Sequence, residues 1–414
     1  MPGPLEGIRV ADFTWVWAGP SCTLQLAHMG AEVIRMESRR RICVLRMLPP
    51  WPGGQPNPNR SGYFNQYNQG KRGITLDISK PEGREIARRI VAISDVAAEN
   101  FAGGVIDRLG LGYEELRQVK PDLVMISMSG YGQTGPESPY VSYGPAQVPL
   151  SGMSQLTGYR GWPPMHVGMS YGDPNAGLHA AFAVLAALYY RQRTGKGQYI
   201  DMSQWESTMA VIGDGIMHYT MNGEHPERNG NRVPEMAPHG VFRCAPAATL
   251  PGYPEDDRWV SIACGSDAEW RAFCGVMGRA EMADDPRFRT LAGRKTSEDA
   301  LEEIVAAWTI TRDPFEVMEL CQAAGVAAFP PQSNRELAED PHLNARGFFV
   351  EKPHADPEVG VRKHAGMPWR MSDTPCEVWR AAPVMGQDND YVFGELLGMS
   401  SQQVAELTER QVIY

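Results

Sequence analysis

The stretch Gly168-Met-Ser-Tyr-Gly-Asp-Pro-Asn-Ala-Gly177 sets one carboxylate, Asp173, among small residues and directly ahead of a long apolar run. A carboxylate in such a place has two uses. It can cap a helix, because an Asp side chain accepts from the first free backbone amides and Pro174 suits the first helical turn. It can also act on a substrate, because Gly172 lets a ligand or a second backbone segment come close. The run from Leu178 to Tyr190 reads as a buried helix, which makes Asp173 its expected N-cap. None of the seven cysteines stands in an evident reactive context, and no Gly-x-Ser-x-Gly nucleophile elbow is expected. A covalent mechanism is therefore expected to use a carboxylate.

Other residues offer binding rather than bond making. Glu99-Asn100-Phe101 ends a predicted strand ahead of Ala102 and two glycines, and open α/β sheets bind ligands at strand C-termini. Asn100 is either a loop residue or a partner for a ligand amide, and Phe101 either a core residue or a ring that stacks on a flat group. Lys71, Arg72 and Arg108 are either solvated charges or phosphate contacts. Gly130-Tyr-Gly-Gln-Thr-Gly135 spells the dinucleotide pattern, but Pro136 and Pro139 follow it and residues 145 to 160 carry no acidic side chain. A nicotinamide or flavin site is thus not expected. Thr194-Gly-Lys-Gly-Gln-Tyr-Ile-Asp201 lacks the spacing of a phosphate loop and reads as a structural turn.

The elements that must position these residues alternate. Strands are expected at Ile8 to Thr14, Glu32 to Met36, Gly73 to Ile78, Asp95 to Glu99, Asp122 to Met128 and Gln198 to Asp201. Helices are expected near Ser21 to Met29, from Pro81 to Ile93, and from Ser203 to Met221. Alternation of this kind implies an α/β domain with a mostly parallel sheet. Residues 39–58, rich in Pro, Arg and Gly, read as a long loop ordered on binding or assembly. Domain boundaries are set at 1–221 for a large domain, 222–238 for a linker, 239–331 for a small α+β domain, 332–350 for a second linker, and 351–414 for the C-terminal part.

Composition narrows the class. A chain of 414 residues exceeds one compact core. Its net charge of −10 argues against nucleic-acid and anionic-membrane surfaces. No apolar run reaches the length of a membrane span, and the N-terminus lacks the regions of a signal peptide. An odd number of cysteines without a Cys-x-x-Cys pair suggests reduced thiols in a cytoplasm, with neither disulfides nor a metal site.

Together these pieces resemble the family III CoA transferases. The matching segments are Leu5-Glu-Gly-Ile-Arg-Val-Ala-Asp-Phe13, Ala18-Gly-Pro20, Gly30-Ala-Glu-Val-Ile34, Asn68-Gln-Gly-Lys-Arg72, Glu99-Asn-Phe101, Gly172-Asp173 and Thr194-Gly-Lys-Gly-Gln198. Their order and spacing carry the resemblance nearly end to end. It implies a Rossmann-like large domain built from both chain ends, a smaller α+β domain, and two subunits interlocked as a dimer, with a heteromer as the alternative. It implies coenzyme A thioesters and small carboxylic acids as substrates, no permanently bound cofactor, and Asp173 as the nucleophile. The CoA-contacting positions it implies are Val16, Ala18, Leu76, Asn100, Phe101, Arg108 and Tyr143. Trp17 replaces a Gln of the formyl-CoA transferase pattern, Ser38 replaces an Arg for which Arg39 can substitute, and Val141 replaces a Lys. The departures count against formate and oxalate, and Trp17 suggests a larger or less polar acid.

Two rival readings are weighed against transfer. The α-methylacyl-CoA racemases of the same superfamily need two proton-transfer groups, one of them a His in a Gly-His-Asp segment. The matching segment here is Ser142-Tyr143-Gly144, without a His. A non-catalytic CoA-binding subunit fits poorly with an intact Asp173.

Overall fold

The computed structural model of the chain describes residues 3–246 and 258–414. These form two compact units, one of residues 1–155, 165–225 and 341–414, the other of residues 156–164 and 226–340.

The larger unit is built on six parallel strands: β1 (Arg9–Asp12), β2 (Glu32–Glu37), β3 (Arg72–Thr75), β4 (Val96–Glu99), β5 (Val124–Ser129) and β6 (Gln198–Ser203). Their order, β3-β2-β1-β4-β5-β6, is the Rossmann order. Both faces are covered, so the strands are short, nearly continuous apolar runs rather than alternating ones. Val10, Val33, Val96, Val124 and Ile126 face one core, shared with the helices Ala18–His28 and Gly172–Thr194. Ala11, Ile34, Ile74, Ala97 and Met125 face the other, shared with Pro81–Ala92 and the C-terminal residues Val392, Phe393, Val412 and Ile413. The chain end closes this core: Leu76 forms an antiparallel bridge with Ile413, and Thr75 donates to the Tyr414 carbonyl at 2.6 Å. A family fold built from both chain ends is thus what the larger unit shows.

The smaller unit has an antiparallel sheet of β7 (His239–Arg243), β8 (Trp259–Ala263) and β9 (Ala327–Phe329). Helices Asp267–Val276, Glu298–Thr309 and Pro314–Ala323 pack on it around Trp270, Phe273, Val305 and Val317.

Three local expectations change. The stretch 39–58 is anchored within the chain rather than left to a partner: Arg46 is fully buried, pairs with both oxygens of Glu37 at 2.8 and 2.6 Å, and lies 3.5 Å over the Phe64 ring. The Leu178–Tyr190 run is only half buried. Ala180, Val184 and Ala187 are covered, whereas Leu178, Phe182, Tyr189 and Tyr190 face outward. The segment 332–350 carries two short helices, Asn334–Glu339 and Pro341–Ala345, rather than plain linker. As expected, Gly130 to Gly135 opens no helix.

Candidate active site

The loop after β1 and the loop after β4 meet at the C-terminal edge of the sheet, where the strand order reverses. Asn100 joins them. Its Oδ1 accepts from the Trp15 amide at 2.6 Å and its Nδ2 donates to the Trp15 carbonyl at 2.8 Å. Both ends of the Asn100 side chain thus hold Trp15, and the loop role is the one observed. Phe101 is half buried, edge-on to Trp15 at 6.3 Å, and the Arg41 guanidinium lies 5.5 Å over the same indole. Glu99 is buried beneath them. Its Oε2 accepts from the Phe101 amide at 2.7 Å, and burial pushes its carboxyl up to about 7.

The loop after β1 then enters the Ala18–His28 helix. Val16 takes a left-handed conformation with φ 58°, which a β-branched residue rarely adopts. Its amide points to Cys43 Sγ at 3.4 Å. Trp17 is buried at the head of the helix and packs against Tyr63 and Tyr67, with ring centroids 5.3 and 5.1 Å away.

Asp173 comes to this point from the far side of the helix pair. It is not the N-cap. The helix starts at Gly172 with Tyr171 at the cap position, so Asp173 lies within the first turn. Its carboxylate is 7% exposed, and Ser170 Oγ donates to Oδ2 at 2.6 Å. Burial raises its pKa from 3.8 to about 6, against the downward pull of the Ser170 hydroxyl and of a hydrogen bond from the Ala18 backbone. A helix N-terminus favours an anion, but desolvation outweighs it here. The negative charge of Asp173 also reaches Tyr63, whose hydroxyl is pushed up by burial, by Tyr67 and by that charge.

Two glycines make the approach possible. A Cβ at Gly144 would collide with Asp173 Oδ2 and Ser170 Oγ. A Cβ at Gly177, one turn beyond Asp173, would stand 2.6 Å from Ser21 Cβ and 2.8 Å from the Ala18 carbonyl. Tyr143, next to Gly144, is exposed.

The structure therefore brings the Ala18 backbone to Asp173, packs Trp17 on Tyr63 and Tyr67, and sets Asn100 and Phe101 beside Trp15. Arg108 and Arg39 are exposed. The other expected contacts are spent inside the chain. Lys71 is fully buried, 3.4 Å from Asp12 and within 3.0 Å of Asn68 Oδ1 and the Pro20 carbonyl, so it does not offer a phosphate contact. Desolvation lowers its pKa to about 8 against the pull of Asp12. Arg72 is taken by Glu32 at 2.8 Å and by the Tyr391 ring at 3.9 Å. Leu76 is buried in the core.

Four residues were missed. Tyr63, Tyr67 and Arg41 carry no local pattern. Ser170 does, since Gly168-Met-Ser-Tyr-Gly172 spells Gly-x-Ser-x-Gly. The nucleophile elbow needs a preceding strand and a base. Here irregular backbone precedes Ser170 and its hydroxyl serves Asp173. The nearby His166 has both ring nitrogens against the carbonyls of Gly168 and Pro145. Among the described residues no His, Cys and acidic cluster could hold a metal ion, and no helix is long and apolar enough to cross a membrane.

Residues 5–389 match CoA-transferase family III. The succinyl-CoA–D-citramalate CoA-transferase of Chloroflexus aurantiacus is 33% identical over 412 residues, covering 100% of this chain and 98% of the relative. The succinate–glutarate CoA-transferase of Agrobacterium fabrum is 34% identical over 397 residues, covering 95% and 96%. A crystal structure of a CAIB/BAIF family protein from Brucella suis superposes with a TM-score of 0.84 at 31% identity, covering 96% of this chain and 100% of that one.

Proposed function

This chain belongs to CoA-transferase family III and is a CoA-transferase, and we propose that it works through covalent catalysis at Asp173. The observation that carries the reading is a nearly enclosed carboxylate between two helix N-termini, with Ser170 and the Ala18 backbone as its hydrogen-bond donors.

In the first step the Asp173 carboxylate attacks the thioester carbonyl of the donor. A mixed anhydride forms and the C–S bond breaks, releasing CoA thiolate. The thiolate attacks the Asp173 carbonyl of the anhydride, giving an aspartyl-CoA thioester and free donor acid. The acceptor carboxylate attacks that thioester, a second anhydride forms, and the thiolate leaves again. Its attack on the acceptor carbonyl yields the new acyl-CoA and restores Asp173. Each step exchanges groups of similar energy, which divides one slow exchange into several easy ones. The Ala18 amide and the Ser170 hydroxyl supply donors near the developing oxyanions.

The Trp15–Phe101 pair, with Arg41 above it and Arg39 and Arg108 nearby in the fold's ligand edge, suits the nucleotide end of CoA. Trp17, Tyr63 and Tyr67 suit the acyl end, and their apolar surface favours an acid with a carbon chain over formate, such as those that the relatives' names specify. The subunit works as a homodimer in a cytoplasm. The outward Phe182, Tyr189, Met217 and Met221 support pairing, and the free thiols support a reducing compartment.

The test is mass spectrometry after incubation with a panel of acyl-CoAs, with hydroxylamine or borohydride trapping. Modification at Asp173 is expected, and the reactive thioester names the donor. No adduct with any thioester, together with α-proton exchange into deuterated water, would replace transfer by racemisation. A Trp17→Gln variant is expected to shift preference toward smaller acids, and an unchanged preference would remove Trp17 from the acyl pocket.

A further inference from the structure

Val16 and Gln411 are the two non-glycine residues with positive φ among the described residues, and Val16 stands at the entrance to the active site. A β-branched side chain in that conformation is strained and persists only when its surroundings impose it. Three contacts do so. Asn100 holds the preceding residue at both ends. Trp17, the following residue, is wedged against Tyr63 and Tyr67. The amide of Val16 itself has Cys43 Sγ as its acceptor at 3.4 Å.

Cys43 comes from the anchored stretch after β2 and is itself buried. The Arg35 guanidinium, fully buried, faces this sulfur along with Glu37 and Asp12. Its charge is met by Glu37 at 3.7 Å, and it lies 5.3 Å over the Phe64 ring. Desolvation works against this buried cation, and Glu37, Cys43 and Asp12 outweigh it. Arg35 thereby fixes where the Cys43 sulfur lies, which a weak acceptor needs if it is to hold one amide.

We infer that Cys43, backed by Arg35, is a positioning residue: it holds the Val16 amide, and so sets the turn that aims the Ala18 backbone at Asp173. It touches no substrate, and its effect on transfer passes through Val16. The inference rests on the proposed role of Asp173 for its kinetic consequence, though not for its structural one.

The experiment compares the wild-type chain with Cys43→Ala and Cys43→Ser. Hydrogen–deuterium exchange of the segment spanning residues 14–17 reads the turn directly, and steady-state transfer reads its consequence. Cys43→Ala is expected to lose amide protection in that segment and to lower kcat about tenfold, with KM for the acyl-CoA within twofold and the thermal midpoint nearly unchanged. Cys43→Ser keeps an acceptor and is expected to restore both. Unchanged protection in Cys43→Ala overturns the inference. So does equal loss in the two variants, or a fall in thermal midpoint that tracks the loss of activity, since either would mean packing rather than hydrogen bonding. If the wild-type chain transfers nothing, the covalent reading falls, while the exchange comparison still decides the role of Cys43.

Discussion

At the scale of the residue, the proposed nucleophile is one carboxylate whose burial and chemistry pull in opposite directions. Nucleophilic attack needs the anion, whereas the surroundings raise the Asp173 pKa to about 6. Activity is therefore expected to rise with pH through about 6 and to level off above 7, which a pH profile of adduct formation at Asp173 reads out. Ser170→Ala removes a donor that favours the anion, so its acidic limb is expected to move to higher pH, and an unmoved limb would deny Ser170 that role. Stability follows with the opposite sign. A carboxyl with a raised pKa in the folded state costs nothing below about pH 4 and destabilises increasingly up to about pH 6, by roughly 3 kcal/mol at most from the linkage constant. Asp173→Asn is expected to abolish transfer yet melt above wild type at pH 7.5, the two converging near pH 4 in a thermal-shift series.

At the scale of the element, the site exists because two helices cross closely. The Ala18–His28 and Gly172–Thr194 helices touch where Gly177 faces Ser21 and the Ala18 carbonyl. A side chain there has nowhere to go, since the neighbours at 2.6–3.0 Å include backbone atoms. Gly177→Val is expected to push the helices apart, to cost about 1–3 kcal/mol in urea unfolding, and to lower transfer by misplacing Asp173 one turn away. A wild-type unfolding midpoint would show that the crossing has slack.

At the scale of the whole molecule, the larger unit leaves an apolar face that its own core does not use. Phe182 is 74% exposed on the same helix that carries Asp173, and Met217 and Met221 are exposed on the Gly213–Asn222 helix. A second subunit over this face would explain why a helix so apolar in sequence is half uncovered. Phe182→Glu is expected to yield a monomer by light scattering, with the fold retained by circular dichroism. A variant that keeps the mass of the wild-type assembly would move the interface elsewhere. The chain ends act at this scale too. Ile413 is buried against Leu76, and Ile413→Ala is expected to cost about 2–5 kcal/mol in denaturant unfolding, far more than a surface position near a terminus.

How far the chain could be read depended on the range of the forces involved. Strands such as Glu32–Glu37 and Val124–Ser129, the Pro81–Ala92 helix and the absence of a dinucleotide turn after Gly135 were legible, because β-branched runs, helix periodicity and proline act within a few residues. Asp173 stood out for the same local reason, a carboxylate between glycines at a helix start. Burial was decided by segments far apart in sequence. Lys71 reads as a surface cation until Asp12 and Pro20 enclose it, and Leu76 is expected to contact CoA until Ile413 is seen to pair with it. Tyr63 and Tyr67 have no pattern of their own and acquire a place only when Trp17 packs on them. The sequence by itself determined the element order and offered Asp173 as the proposed nucleophile. The tertiary structure alone decided which charges are spent inside the chain, and what ionisation state the surroundings impose on Asp173, because desolvation is a property of everything that excludes water from a group rather than of its neighbours along the chain.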